Sequence, residues 1–162
     1  MGHSNAWNTQ LTSNTSDAKE DVGAIRFSYD PTYGHRKYKY VQAAADTTVA
    51  NGTCLAYSDD YHRVVSSDCD DTLQNDVAGV GIGAITASYY GWIQIGGYHA
   101  ALITDLGNDI VAGDILILHA TTDGACDRIA AGTDIMYTPL GNAVADDVDA
   151  TDLVAAYLNC PE

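Results

Sequence analysis

The chain has 162 residues, of which 46% are apolar, and a formal net charge of −15 from 22 acids against 7 Lys and Arg. So few cations cannot displace a phosphate counterion shell, which excludes a free nucleic-acid binder. The apolar content argues against disorder, and no apolar stretch approaches the roughly 20 residues of a membrane span.

A chain of this length reads as a single domain with an appended arm, and can bury roughly 68–70% of the surface its unfolded form exposes. The start, Met1-Gly2-His3-Ser4-Asn5, is polar and lacks the apolar run of a secretory signal, so assembly in the cytoplasm is expected. Lys19, Arg26, Arg36, Lys37 and Lys39 lie close together, whereas beyond Arg63 only Arg128 is cationic. Such a cluster is either incidental to a soluble acidic protein or the part that docks against an acidic neighbour. Cys54, Cys69, Cys126 and Cys160 show no CxxC or Cys/His ligand spacing. An even count permits disulfides, but buried thiols are the default in a cytoplasmic product.

Residues 1–22 are rich in Asn, Thr and Ser, with Trp7 and Leu11 as the large apolar anchors. This extended N-terminal arm is expected to be ordered only where a partner holds it, and an intermolecular contact is the expectation. Residues 23–162 form the β domain. Ala24–Tyr29 reads as a first strand, closed by Asp30-Pro31 and a turn at Tyr33-Gly34. Lys37–Gln42 reads as a second, with Tyr38, Tyr40 and Gln42 on one face and Lys37, Lys39 and Val41 on the other. Tyrosines so placed are more often a half-buried face than a stacking platform.

A turn-then-strand device follows three times. Val49-Ala50-Asn51-Gly52-Thr53 precedes Cys54–Tyr57, Val111-Ala112-Gly113-Asp114 precedes Ile115–Leu118, and Ile129-Ala130-Ala131-Gly132-Thr133 precedes Asp134–Tyr137. In each, glycine suits a positive φ and the next Thr or Asp can cap the turn. Tyr61–Val65 is a further strand candidate, followed by an acidic loop with Asp68, Asp70 and Asp71.

The densest apolar run is Tyr89–Gly97, preceded by the glycine-spaced Val77–Ile85. With period two, Tyr90, Trp92 and Gln94 point one way and Ile93 and Ile95 the other, so Tyr90, Trp92, Ile93 and Ile95 are assigned to the core. Thr86-Ala87-Ser88 between the runs suggests a hairpin turn. Toward the end lie Gly141–Ala145, a second acidic loop from Asp146 to Asp149, and a closing strand over Asp152–Leu158. Short strands punctuated by Gly, Asn and Asp, without strong helix candidates, specify an all-β sandwich or barrel.

No motif carries chemistry. Gly79-x-Gly81-x-Gly83 lacks the glycine and helix of a dinucleotide loop, so close approach of a neighbouring strand explains it better. The acidic loops lack the EF-hand pattern. His3, His35, His62, His99 and His119 stand in no recognisable arrangement with Ser or Cys, and the only glutamates are Glu20 and Glu162. No catalytic, cofactor-binding or metal-ligating residue is assigned, and an enzyme is not expected.

The succession Gly23-Ala24-Ile25-Arg26-Phe27, Tyr38-Lys39-Tyr40-Val41, Val49–Thr53, Gly79-Val80-Gly81, Tyr90–Ile95 and Val111–Asp114 resembles head decoration (cement) proteins of tailed bacteriophages. The resemblance spans about residues 23–160, through short glycine-dominated motifs. It implies a compact β-barrel body of β-tulip or β-clip type, and homotrimers at three-fold positions on the outer surface of the capsid. The implied partner is the major capsid protein, reached by the N-terminal arm, with no membrane or nucleic acid. Trp7, Leu11, Arg26, Arg36, Lys37 and Lys39 are then the expected capsid or subunit contacts. The loop around Asp59–Asp71 and the four cysteines depart from the simplest members. Two other classes compete: a ligand-binding β-clip module of the SAF type, and a tail or fibre protein whose tyrosines bind a host glycan.

Overall fold

The computed structural model describes residues 7–68, 76–105, 110–129, 137–147 and 153–161. Every regular element among them is a strand: β1 (Ile25–Asp30), β2 (Gly34–Ala43), β3 (Cys54–Tyr57), β4 (Val64–Ser66), β5 (Val77–Gly81), β6 (Tyr90–Ile103), β7 (Ile115–Leu118), β8 (Cys126–Arg128), β9 (Gly141–Ala143) and β10 (Leu153–Asn159). The all-β class expected from the turn spacing is the class found.

The strands form one curled sheet in the order β1-β2-β4-β3-β5-β6-β10-β9-β7-β8, and β2 also pairs with β6. That extra pairing closes β2, β4, β3, β5 and β6 into a ring. Within it β2 and β4 run parallel, through Gln42↔Val64 and Ala43↔Val65. On the other side of β6, the series β10, β9, β7 and β8 curls back, and a bridge from Cys126 to Thr104 returns it to the end of β6. Strand β6 needs its 14 residues because it serves both curls.

Period two along β6 separates two cores. Ile93 and Ile95 belong to the main core with Val41, Leu55 and Val80. Trp92 packs with Tyr38 and Tyr40 in a second, aromatic cluster, to which Tyr90 adds a half-buried ring. All four residues assigned to the core from the sequence are therefore in contact with one. A strand buried on both faces carries the near-continuous apolar run that marks this segment.

The hairpin between the two runs differs from expectation. Strands β5 and β6 pair only through Val80↔Gln94 and Gly81↔Ile93. The chain then leaves β6, and Ile85 pairs with Val49 through two hydrogen bonds of 2.9 and 3.1 Å. Competition from Val49 draws the segment away, so the turn at 86–89 follows a separate bridge rather than a tight hairpin. The glycines do permit close approach: a Cβ on Gly81 would strike the Ala50 carbonyl oxygen and sit 2.6 Å from Val49 Cγ1.

Two of the turn devices take the expected form. Gly52 has φ +86°, and the Ala50 amide donates to Thr53 Oγ1 at 3.0 Å. Gly113 has φ +99°, and the Val111 amide donates to Asp114 Oδ2 at 3.0 Å. The third device, Cys69, Asp70, Asp71 and Asp149 lie wholly or mainly outside the described residues. The strand expected from Tyr61 begins at Val64, because Asp59 Oδ1 accepts from the Arg63 and Val64 amides, each at 2.8 Å, and fixes a turn. Short β8 was not foreseen. The described cysteines Cys54, Cys126 and Cys160 are all buried.

Gly81→Ala is expected to lower stability by about 1–3 kcal/mol, since a backbone oxygen and a core valine must both shift. Urea unfolding followed by circular dichroism measures this.

Candidate functional site

The described part of the arm, residues 7–22, folds back over the aromatic cluster of its own chain. Trp7 meets Trp92 edge-on with ring centroids 5.2 Å apart, and Leu11 and Val22 pack against the same cluster. The buried Trp92 indole N–H donates to Thr9 Oγ1 at 2.9 Å. That hydroxyl donates onward to Glu20 Oε1 at 3.1 Å, which also accepts from the Thr9 amide at 2.9 Å. Arg26 Nη1 donates to the Thr9 carbonyl at 3.1 Å and its guanidinium lies 5.8 Å from the Trp7 ring centre. Farther along, Thr15 and Tyr90 exchange backbone hydrogen bonds of 3.1 and 2.9 Å. The partner expected to order this stretch is, for residues 7–22, the chain's own sheet. A polar segment becomes ordered here because its few apolar groups and hydroxyls match a buried aromatic face.

The predicted contact residues consequently divide. Trp7 and Leu11 are half-buried against the body, and Arg26 is committed to the arm. Lys39 is a correction: it is only 6% exposed and donates from Nζ to Tyr57 Oη at 2.7 Å. An ammonium so placed cannot meet a surface partner. Desolvation lowers its pKa, and the carboxylates of Asp59 and Asp76 offset part of that effect. Tyr57 in turn stacks on His62 with centroids 4.4 Å apart, and His62 Nε2 lies 3.2 Å from Asp76 Oδ1. Burial raises the Tyr57 pKa, so the phenol stays neutral and accepts from Lys39.

Arg36 and Lys37 remain at the surface, on opposite faces of β2. Lys37 Nζ lies 5.6 Å from the Phe27 ring centre, beside exposed Tyr29. Arg36 reaches Asp30 Oδ2 at 3.5 Å and lies 5.7 Å from the Tyr33 ring centre. The Thr32 and Tyr33 amides hold the Asp30 carboxyl below its usual pKa, with Arg36 adding to the effect. Tyr33 stacks on Tyr98 at 4.0 Å, and Tyr98 meets Tyr157 at 5.7 Å. This tyrosine row links the β1–β2 hairpin to β10 and was not read from the sequence, since its members are 124 residues apart (157 − 33). Beneath it, a cleft of about 270 Å³ runs between arm residues Leu11 and Thr12 and a wall containing Arg36, Gln94 and His99.

His99 is 5% exposed, with Nε2 3.2 Å from the Gly81 carbonyl and Nδ1 accepting from the Ala101 amide at 3.3 Å. Burial lowers its pKa, so a neutral ring with the proton on Nε2 satisfies both contacts. No group of three or more His, Cys, Asp or Glu with metal-binding geometry occurs among the described residues. Of the second acidic loop, Asp146 accepts from the Ala112 amide at 2.9 Å and Asp147 from Thr104 Oγ1 at 2.7 Å.

The chain matches no protein-family model and no curated protein. Among solved structures, it is similar to the N-terminal base of head fibre gp8.5 of bacteriophage phi29. The two share 21% identity and a TM-score of 0.46, over 77% of this chain and 97% of that one.

Two outcomes test the site. Thr9→Val leaves the buried Trp92 N–H without its acceptor and is expected to destabilise arm docking by about 1–3 kcal/mol. Hydrogen exchange at residues 7–22 reports this directly, and fluorescence of the two tryptophans follows it in solution. The second outcome concerns Cys160, whose burial raises its pKa from 9.0 to about 12. A raised folded pKa means that this stability is complete below pH 9 and is lost as pH rises toward 12. Tyr57 acts in the same sense from its ordinary value of 10.0 upward, whereas Lys39, with a lowered pKa, acts in the opposite sense below 10.5. Removing the thiol by Cys160→Ala is therefore expected to flatten the alkaline fall by about 1.4 kcal/mol per pH unit, measured by urea titrations above pH 9.

Proposed function

We propose that this chain is a non-enzymatic structural protein of a tailed-phage virion, seated on the outer surface of the capsid as a homotrimer and stabilising the shell. The observation that carries the reading is the β1–β2 hairpin, which gathers Arg26, Arg36 and Lys37 with exposed Phe27, Tyr29 and Tyr33 in a chain of net charge −15. Three of the seven cations thus sit on one two-stranded projection beside aromatic rings that are not buried. Aromatic and Arg side chains at one place are the usual anchors of a protein interface. The succession of sequence motifs that resembles decoration proteins supports the same reading.

In this reading the major capsid protein is the partner, and Arg36 and Lys37 with Phe27 and Tyr29 make the contact. The arm acts indirectly, by holding the aromatic face on which the hairpin rests. Trimers multiply a modest contact into avidity, and an acidic exterior keeps a coated particle soluble. The test is co-sedimentation of the full chain with expanded heads that lack it, together with its mass in solution. Saturable binding by a three-copy species is expected, weakening with salt and at least about tenfold weaker in Lys37→Glu. Binding to tails or to a host glycan, with none to heads, would overturn the proposal.

A further inference from the structure

Strand β1 ends the sheet and pairs with β2 alone among the described residues. Its pairs alternate: Arg26↔Tyr38 and Ser28↔Arg36 in one set, Phe27↔Lys37 and Tyr29↔His35 in the other. The Tyr40 amide donates to the Ala24 carbonyl at 2.9 Å. By the alternation of an antiparallel ladder, Arg26, Ser28 and Asp30 then direct their backbone groups to β2, while Ile25, Phe27 and Tyr29 direct theirs to the open edge. Phe27 and Tyr29 are each 66% exposed. An open edge with large exposed rings is a template for another strand.

We propose that this edge pairs antiparallel with the β1 edge of a second copy, about a two-fold axis through Ser28. Open-edge groups bond only to open-edge groups, so the axis must pass through a residue rather than between two. Centred on Arg26, the register sets like charges against each other. Centred on Phe27, it places Arg26 opposite Ser28 and Asp30 opposite Ala24. Centred on Tyr29, it places Asp30 opposite Ser28 and Arg26 opposite Thr32. Centred on Ser28, each Arg26, which also holds Thr9 of its own arm, faces the second copy's Asp30, which Arg36 of its own chain reaches at 3.5 Å, and each Phe27 faces the second copy's Tyr29. That register alone sets opposite charges together on one face and aromatic rings together on the other, the pairings that stabilise adjacent strands. Pro31, which has no N–H to give, stops the ladder beyond it. The contact joins copies side by side and leaves Arg36, Lys37 and the turn at 31–33 outside the new ladder.

Sedimentation velocity of the full chain across a concentration series tests the association without any capsid present. The mass of the basic unit is expected to double with concentration, and Phe27→Lys is expected to raise the dissociation constant about tenfold. Ser28→Cys, in a Cys69→Ser background, tests the register. Ser28 faces itself in a non-hydrogen-bonded pair, where Cα atoms lie about 4.5 Å apart and a disulfide fits. Under oxidised glutathione it is expected to give a covalent dimer about tenfold faster than Phe27→Cys, which does not face its own copy. Equal cross-linking rates, or a mass independent of concentration, would overturn the proposal. Thermal unfolding confirms that each variant is folded, since all substituted β1 positions are at or near the surface.

Discussion

The fold depends on an acceptor for one indole N–H. Trp92 occupies a strand whose other face, through Ile93 and Ile95, already belongs to the main core. It therefore lies on the outside of the ring and needs a second cover. Burying so large a ring is favourable only if its polar atom finds a partner. Thr9 Oγ1 meets that need, and Glu20 and Arg26 hold Thr9 through its hydroxyl, amide and carbonyl. Residues 7–22 are thus a third layer of the domain rather than an appendage, although their composition resembles that of a linker. Trp7 and Leu11 supply the apolar contacts, and the hydroxyls of Thr9, Thr15 and Tyr40 accommodate the polar groups that come with them.

Much of this was legible in the sequence where it depended on neighbours in the chain. Alternation over Tyr90–Ile95 separated the two cores because a pleated strand imposes period two regardless of what covers each face. The glycine-then-cap turns before β3 and β7 could be read because their hydrogen bonds span only three residues. Ring closure could not. It rests on β2 meeting both β4 and β6, pairings between segments far apart in the chain. The cis docking of the arm has the same origin, since Thr9 and Trp92 are 83 residues apart.

Lys39 shows where alternation alone misleads. Lys37 and Lys39 share a face of β2, as the period requires, yet only one is at the surface. Lys37 pairs across to Gly96 and lies beside exposed Phe27, where β2 projects with β1. Two residues on, β2 has entered the ring opposite Ile93, and the same face has become core. The ammonium is tolerated because Tyr57 Oη lies 2.7 Å away and two carboxylates stand nearby. A pattern of charges specifies a face; the path of the strand through the fold decides whether that face meets water.

The same path explains why surface chemistry concentrates on the hairpin. Among the described strands, residues 34–36 of β2 pair with β1 alone, so this segment extends beyond the closed ring. A two-stranded projection cannot bury both its faces, and β1 leaves one edge unpaired among the described strands. Such an edge invites uncontrolled pairing unless it is blocked or matched. Here Asp30-Pro31 limits the length that can pair, and the opposite charges of Arg26 and Asp30 favour the one register that sets them against each other. An edge constrained in this way selects one alignment, whereas a uniformly apolar one would accept several. The exposed aromatic rings therefore follow from how the ring closes: the residues it leaves outside are those free to meet another surface.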